Sequence, residues 1–508
     1  MNYRFFTIAS VMLLLAVVIL AGCTSTTGAT QAGGTNTSSG NPGPGGSNVT
    51  SMQNGPPSGM SFNGTAPGGA GPGGQPGPGG NSTTMGNAPS GSAPSGGMGA
   101  GGSGGPGSNS GASAYTFNGT YTLNGGTATK TGQTYTSTTK DVSGVYVTNS
   151  GVLTLINPTI TTSGDSSSND ASSFYGLNAA VLVNRGGTMT MEGGTIASTG
   201  SGANGVISTG TGSSATLSDV TITASGGGAH GVMATLGGNI TLTDVNIATT
   251  GESGAPLATD RGGGVITVTR GTFESTGLRS PGIYSTGIIS VKDATITAEP
   301  GAAVIEGFNS ISLDNTSLSG GSSTSDCVMI YQSMSGDASE GTGTFTMNGG
   351  SLTATGGSLF FVTNTHGVVN LKGATVTTSG SLIRAAASQW GTTGENGGIV
   401  TFSADGETLA GNVTADSISS IDVNLENGST LTGAINPAAL TLDATSTWTV
   451  TGDSVLTSLS DAGGISGTNI TNINGNGHMV TYDASLAANS ALDGKTYTLS
   501  GSGMLKPA

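Results

Sequence analysis

One short pattern returns nine times between residues 153 and 376, and it limits the fold more than any other feature of the chain. It runs apolar, Thr or a similar residue, apolar, polar, a turn pair, Thr or Ser, apolar. The first copy is Leu153-Thr154-Leu155-Ile156-Asn157-Pro158-Thr159-Ile160. Later copies include Met189 to Ile196, Ala215 to Ile222 and Ile240 to Ile247. The series continues at Ile266 to Phe273, Ile289 to Ile296, Ile311 to Leu318, Phe345 to Leu352 and Val369 to Val376. Its central anchors are Leu155, Met191, Leu217, Leu242, Val268, Val291, Leu313, Met347 and Leu371, separated by 36, 26, 25, 26, 23, 22, 34 and 24 residues.

Apolar-polar-apolar alternation has the period of a strand with one buried face. The turn pair redirects the chain, and a second short strand resumes with its apolar residue inward. A third strand precedes each unit, often opening with Gly, as in Gly144-Val145-Tyr146-Val147, Gly205-Val206-Ile207, Gly231-Val232-Met233 and Gly282-Ile283-Tyr284. Three short strands in 22 to 26 residues make one coil of a parallel solenoid, stacked on the next at roughly 4.8 Å. The two wide separations predict loops, at Gly164 to Tyr175 and Ser333 to Gly343. A solenoid also suits the composition, because 93 glycines and 5% aromatic residues cannot fill a broad core.

This patterning resembles the right-handed parallel β-helix proteins, among them pectate-lyase-like folds, adhesin-like repeat proteins and autotransporter passenger domains. The resemblance covers about 115 to 430 and implies an all-β fold, a right-handed parallel β-helix of roughly 11–14 coils. Within 431–508, the stretch from Ser446 through Trp448 to Leu459 looks like the segment that caps pertactin-like passenger domains. Lys495 to Leu505 reads as a last strand pair. No outer-membrane barrel follows Ala508, so anchorage is expected to come from the other end.

That end carries Arg4, an apolar run from Phe5 to Ala21, and the sequence Leu20-Ala21-Gly22-Cys23. A positive start, an apolar run and small residues before a cut site mark a secretory signal. The ending looks like a bacterial lipobox, which implies that residues 1–22 are removed and that the Cys23 thiol carries diacylglycerol. The run is also just long enough for an uncleaved membrane anchor; both readings place the remainder outside the cytoplasm. Thr24 follows, where an inner-membrane retention signal would have Asp. Residues 23–112 form a Gly/Pro/Ser-rich tether, and the stretch 24–112 contains no Asp, Glu, Lys or Arg. As a coil it spans roughly 50 Å on average, enough to lift the 113–430 body from a lipid surface.

A formal charge of −15 leaves no basic patch to release counterions, which excludes nucleic acid as a partner. Enzymatic signatures are incomplete. Galacturonan hydrolases of the resembled fold carry Asn-Thr-Asp, Asp-Asp, Gly-His-Gly and Arg-Ile-Lys. This chain matches only fragments, at His230-Gly231 and His366-Gly367, where a His at a coil corner suffices. Asp219, Asp244 and Asp293 share one coil position with Asn157 and Asn315, a column able to hold Ca²⁺. Gly193, Gly349 and Gly373 fill the same slot, so turn geometry is the stronger explanation. Arg185, Arg261, Arg270 and Arg279 are scattered, and Asp260, Glu274 and Glu299 are the acids in successive mid-helix coils. Thr159/Thr161, Thr221/Thr223, Thr295/Thr297 and Thr375/Thr377 form outward pairs suited to ordering water on ice or a crystal, but Ala197, Ala248, Glu274 and Ser319 interrupt the outer column, and Thr is in any case a favoured outward strand residue. With Cys23 acylated, Cys327 is a lone buried thiol.

The sequence therefore points to a lipid-anchored, cell-surface β-helix that is not an enzyme. Membrane lipid is its partner through Cys23, with surface glycans or other surface proteins contacted by the body. No cofactor, metal or catalytic residue is assigned, and the alternative is a β-helical polysaccharide lyase or glycoside hydrolase. Replacing Cys23 by Ser is expected to abolish incorporation of labelled fatty acid and to release the protein or leave its signal uncut. A C23S protein still cut after Gly22 and still sedimenting with membranes contradicts the lipoprotein reading.

Overall fold

The computed structural model describes residues 114–461 and 463–508. The signal segment, Cys23 and the tether lie outside the described residues.

One coil shows how the pattern becomes architecture. Val206–Thr209 forms face I, Ser214–Ser218 forms face II, and Asp219 with Val220 turns the chain onto face III at Thr221–Ala224. The chain then returns to face I one coil further on, at Val232–Thr235. Each strand pairs in parallel with its equivalent in the coils before and after. Among the described residues face I holds thirteen strands in chain order. The protein is an all-β parallel β-helix.

The nine anchors form one continuous inward column. Leu155 pairs with Met191, then Leu217, Leu242, Val268, Val291, Leu313, Met347 and Leu371 in turn. None of the nine is more than 2% exposed. A one-residue slip of any coil would expose its whole inward set, so the apolar period specifies the register strongly. The third strand of each coil behaves differently. Tyr146, Leu182, Ile207, Met233 and Ala258 point out of face I and are nevertheless buried. A strand covered on both sides reads as continuous apolar sequence, which accounts for runs such as Ala179 to Val183.

The glycines have two steric uses. A Cβ on Gly231, which opens a face I strand, would stand 2.3 Å from Ile247 Cγ2, the inward side chain of face III. At the corner between faces III and I, glycines stack directly. A Cβ on Gly200, Gly226, Gly251 or Gly277 would come within 1.9, 1.9, 2.0 or 1.9 Å of the carbonyl oxygen of the glycine one coil earlier. In these four coils a larger residue would have to open the coil spacing.

Both described ends of the stack are modified. In the first coil Lys130 occupies the anchor position opposite Leu155, with its ammonium 5.5 Å from the Tyr121 ring centroid. An inward charge on a terminal strand blocks end-to-end pairing. At the other end Trp448 is fully buried, its indole donating to Gly433 O at 2.9 Å. The last pair, Tyr497–Ser500 with Met504–Pro507, turns antiparallel and ends on a proline that donates nothing to a further strand.

The first wide separation is more than a loop. Asn169–Tyr175 is a short helix capped by the Ser168 hydroxyl, which accepts from Ala171 N–H, and closed by left-handed Gly176. Capping chemistry in a Ser-rich stretch overrides the loop-like composition. This helix and the residues after it cover part of face I. A Cβ on Gly176 would meet Ile207 and Leu182 side chains at 2.2 and 2.5 Å.

Candidate functional site

The corner between faces II and III carries the shared Asx position. Asn157, Asp219, Asp244, Asp293 and Asn315 all have positive φ, from 46° to 57°. Gly193, Gly349 and Gly373 in the same slot have φ of 67°, 66° and 63°. The slot selects for left-handed backbone, which Asn, Asp and Gly tolerate best. Arg270 also occupies it, at φ 61°, a member that spacing alone did not single out. Its guanidinium grips Asp244 with Nε to Oδ1 at 2.7 Å and Nη2 to Oδ2 at 2.6 Å, holding that carboxyl below the usual range. Asn315 Nδ2 donates to Asp293 at 2.8 Å. Two of the column's acids, Asp244 and Asp293, are thus held by side-chain bonds to the neighbouring coil. Among the described residues no group of three or more His, Cys, Asp or Glu is arranged to hold a metal.

The acids of successive coils part company in space. Asp260 ends a face I strand, Glu274 points out of face III and is exposed, and exposed Glu299 follows the face III strand of the next coil. Asp260 meets two other acids instead, beside Arg261. Glu306 is buried on face I, its Oε2 accepting from Tyr284 and Tyr331 hydroxyls at 2.8 and 2.7 Å. Its Oε1 accepts from Ser333, and from Ser335 at 3.4 Å. Burial and the Glu306 charge raise both tyrosine pKa values well above normal, so they serve as neutral donors. Arg261 Nε and Nη2 both reach Asp337 Oδ1, at 3.0 and 2.9 Å. The same guanidinium lies 3.8 Å from the Phe174 ring centroid. One arginine therefore ties the helical insertion to the 333–343 insertion across face I.

Asp260 completes this cluster. It keeps a sliver of exposed surface, yet burial, followed by the Asp337 charge, lifts its pKa well above the carboxylate range. The Glu306 charge acts in the same direction, and the bond from Arg261 N–H, 2.7 Å to Oδ1, opposes it. All three carboxylates already hold protein donors, the arrangement of a staple for two insertions.

The other candidates are structural in geometry. His230 is buried, with Nδ1 accepting from Ala255 N–H at 3.0 Å, and burial pushes its pKa down to about 4. His366 lies in a face II strand, its ring nitrogens 3.4 and 3.1 Å from the Thr342 and Thr401 hydroxyls. Cys327 is buried and burial pushes its thiol up to about 12, far from reactivity at neutral pH. Arg279 pairs with Glu252 and Arg384 with Asp326, so these cations build no common cleft.

What the outward faces do share is hydroxyl chemistry. From Thr129 to Thr441, thirteen successive coils of face II place Thr, Ser or Asn at the outward centre of the strand. On face III one outward column is Thr, Ser or Asn in ten successive coils, from Thr134 to Thr375. The second face III column is broken at Ala197, Ala248 and Glu274. Between the two columns runs a trough of about 360 Å³, walled by Thr221, Asn246, Thr272 and Thr295 on one side and by Thr223, Ala248, Glu274 and Thr297 on the other.

Comparison with protein-family models and with curated proteins finds no match to this chain.

The acid cluster makes stability depend on pH with a defined sign. The folded pKa of Asp260 is raised, so its contribution is complete below the unfolded value of about 4 and is lost as pH rises through the folded pKa. Asp260→Asn keeps the acceptor for Arg261 N–H and removes the charge. It is expected to raise the unfolding free energy at pH 7, because the folded chain holds the Asp260 proton more tightly than the unfolded chain and the charged form is the one that costs stability. The gain should vanish near pH 4. Denaturant titrations at both pH values check this, and equal stability of D260N and wild type at pH 7 contradicts it.

Proposed function

We propose that the chain is a lipid-anchored rod at the cell surface, non-enzymatic, which meets glycans, neighbouring surface proteins or the surrounding envelope through its outward hydroxyl-bearing faces. The observation that carries this reading is the unbroken Thr, Ser and Asn column of face II. Coils that differ in length and insertions keep the same outward chemistry, although packing places no demand on that position. Hydroxyls and amides donate and accept, and they do so without the desolvation cost of charge. The lipobox resemblance at Cys23 and the chargeless stretch 24–112 support an anchored body held away from its lipid.

The reading is tested with the full processed chain in mild detergent, added to isolated cell envelopes and followed by sedimentation and by assays for reducing and unsaturated sugar ends. Saturable adsorption with no new ends is expected. Absence of adsorption refutes the binding reading, and release of sugar ends establishes the lyase or hydrolase alternative in its place.

A further inference from the structure

We infer that the face III trough centred on Glu274 holds an uncharged, hydroxyl-rich glycan chain laid parallel to the axis of the helix. The inference rests on the surface-binding reading and names the ligand class and the site.

The trough runs along the stack, so its polar groups recur at the coil spacing of roughly 4.8 Å. A compact ligand would use one or two rungs, whereas an extended, repeating one uses them all. The wall chemistry is specific. Asn246 Oδ1 accepts from Thr272 N–H at 3.1 Å and from the Thr272 hydroxyl at 2.6 Å. These bonds fix the amide orientation and leave its NH₂ to donate elsewhere. Glu274 is exposed and is the only ionisable residue lining the trough. None of the ion pairs among the described residues involves it. Its neighbour in the column is Ala248, whose short side chain leaves a gap beside the carboxylate. A carboxylate is an acceptor with two oxygens, matched to adjacent hydroxyls on one sugar ring, and such bonds are stronger than neutral ones.

Charge selects among glycans. Glu274 and the net charge of −15 repel uronates, sulfates and phosphates, which leaves the uncharged polymers. The relief of the wall argues against a crystalline surface. Ala248 recedes and Glu274 projects, so a flat lattice loses contact where a chain of rings can follow.

The test is affinity electrophoresis of the full processed chain in nonionic detergent, through gels containing galactomannan, mixed-linkage β-glucan or, as the anionic probe, polygalacturonate. Retardation by at least one neutral polymer and none by polygalacturonate is expected. Glu274→Ala and the double variant Thr221→Val/Thr272→Val should weaken that retardation by about tenfold. Glu395→Gln, an exposed acid elsewhere, should migrate like wild type. All four side chains point outward, so circular dichroism melts should be unchanged. Retardation that the trough variants leave intact overturns the site. Adsorption to envelopes without retardation by any neutral polymer overturns the ligand class while the surface-binding reading survives. Loss of both overturns the two together. Inhibition of ice recrystallisation that disappears in the trough variants would assign the trough to a crystal surface instead.

Discussion

Parallel backbone pairing between successive coils is the constraint on which everything else in this protein depends. Each strand finds its hydrogen-bond partners only in the coils before and after it. That requirement sets every residue over its equivalent one coil away and turns a repeating sequence into columns. A column is then selected as a unit. The anchor column accepts Leu, Met, Val or Ala, and it admits Lys130 only in the first coil, where an edge must be blocked. From Gly164 to Gly277 the corner between faces III and I holds glycine, because in those coils the carbonyl of the coil below occupies the place of a Cβ, whereas Thr139 and Pro300 hold the equivalent position in the coils on either side.

Departures from the repeat are where the chain builds something particular. Three insertions interrupt the 22 to 26 residue rhythm: one in the 386–397 stretch between the paired Leu371 and Ala404, where Trp390 packs on Tyr331, and two, Gly164 to Tyr175 and Ser333 to Gly343, that meet on face I. Left alone, they would be loops ordered at a cost of roughly 1–2 kcal/mol per residue. Arg261 joins the two on face I by stacking on Phe174 and pairing with Asp337, and Glu306 gathers hydroxyls from the sheet and from the 333–343 insertion. The buried acids thus have a structural account, while the outward columns carry residues that suit a strand and still present hydroxyls and amides to solvent.

Architecture was largely legible from the sequence because its signal is local and repeated. The anchors, the opening glycines and the Asx corner each recur at spacings that can be counted. The glycine corner was legible too. Gly164, Gly200, Gly226, Gly251 and Gly277 follow the separations of the anchors themselves, 36, 26, 25 and 26, a coincidence visible on counting. The acid cluster was not. Asp260, Glu306 and Asp337 are brought together by insertions whose path no periodicity describes, and Arg261 looked isolated because its partners lie 87 residues before it and 76 after it, at Phe174 and Asp337. Spacing along the chain likewise grouped Asp260 with Glu274 and Glu299, although three faces per coil send neighbours in sequence to different sides.

The central claim is that inward columns hold the fold while outward ones are free to meet a partner. Thr272 and Phe273 test it most directly, being adjacent residues on one strand that face opposite ways. Phe273 is 1% exposed, and Phe273→Ala should lower the unfolding free energy by about 3–5 kcal/mol. Thr272→Ala should change it by less than about 0.5 kcal/mol. Denaturant unfolding of the two variants side by side makes the measurement. Comparable losses from both, or a larger loss from Thr272→Ala, would contradict the account.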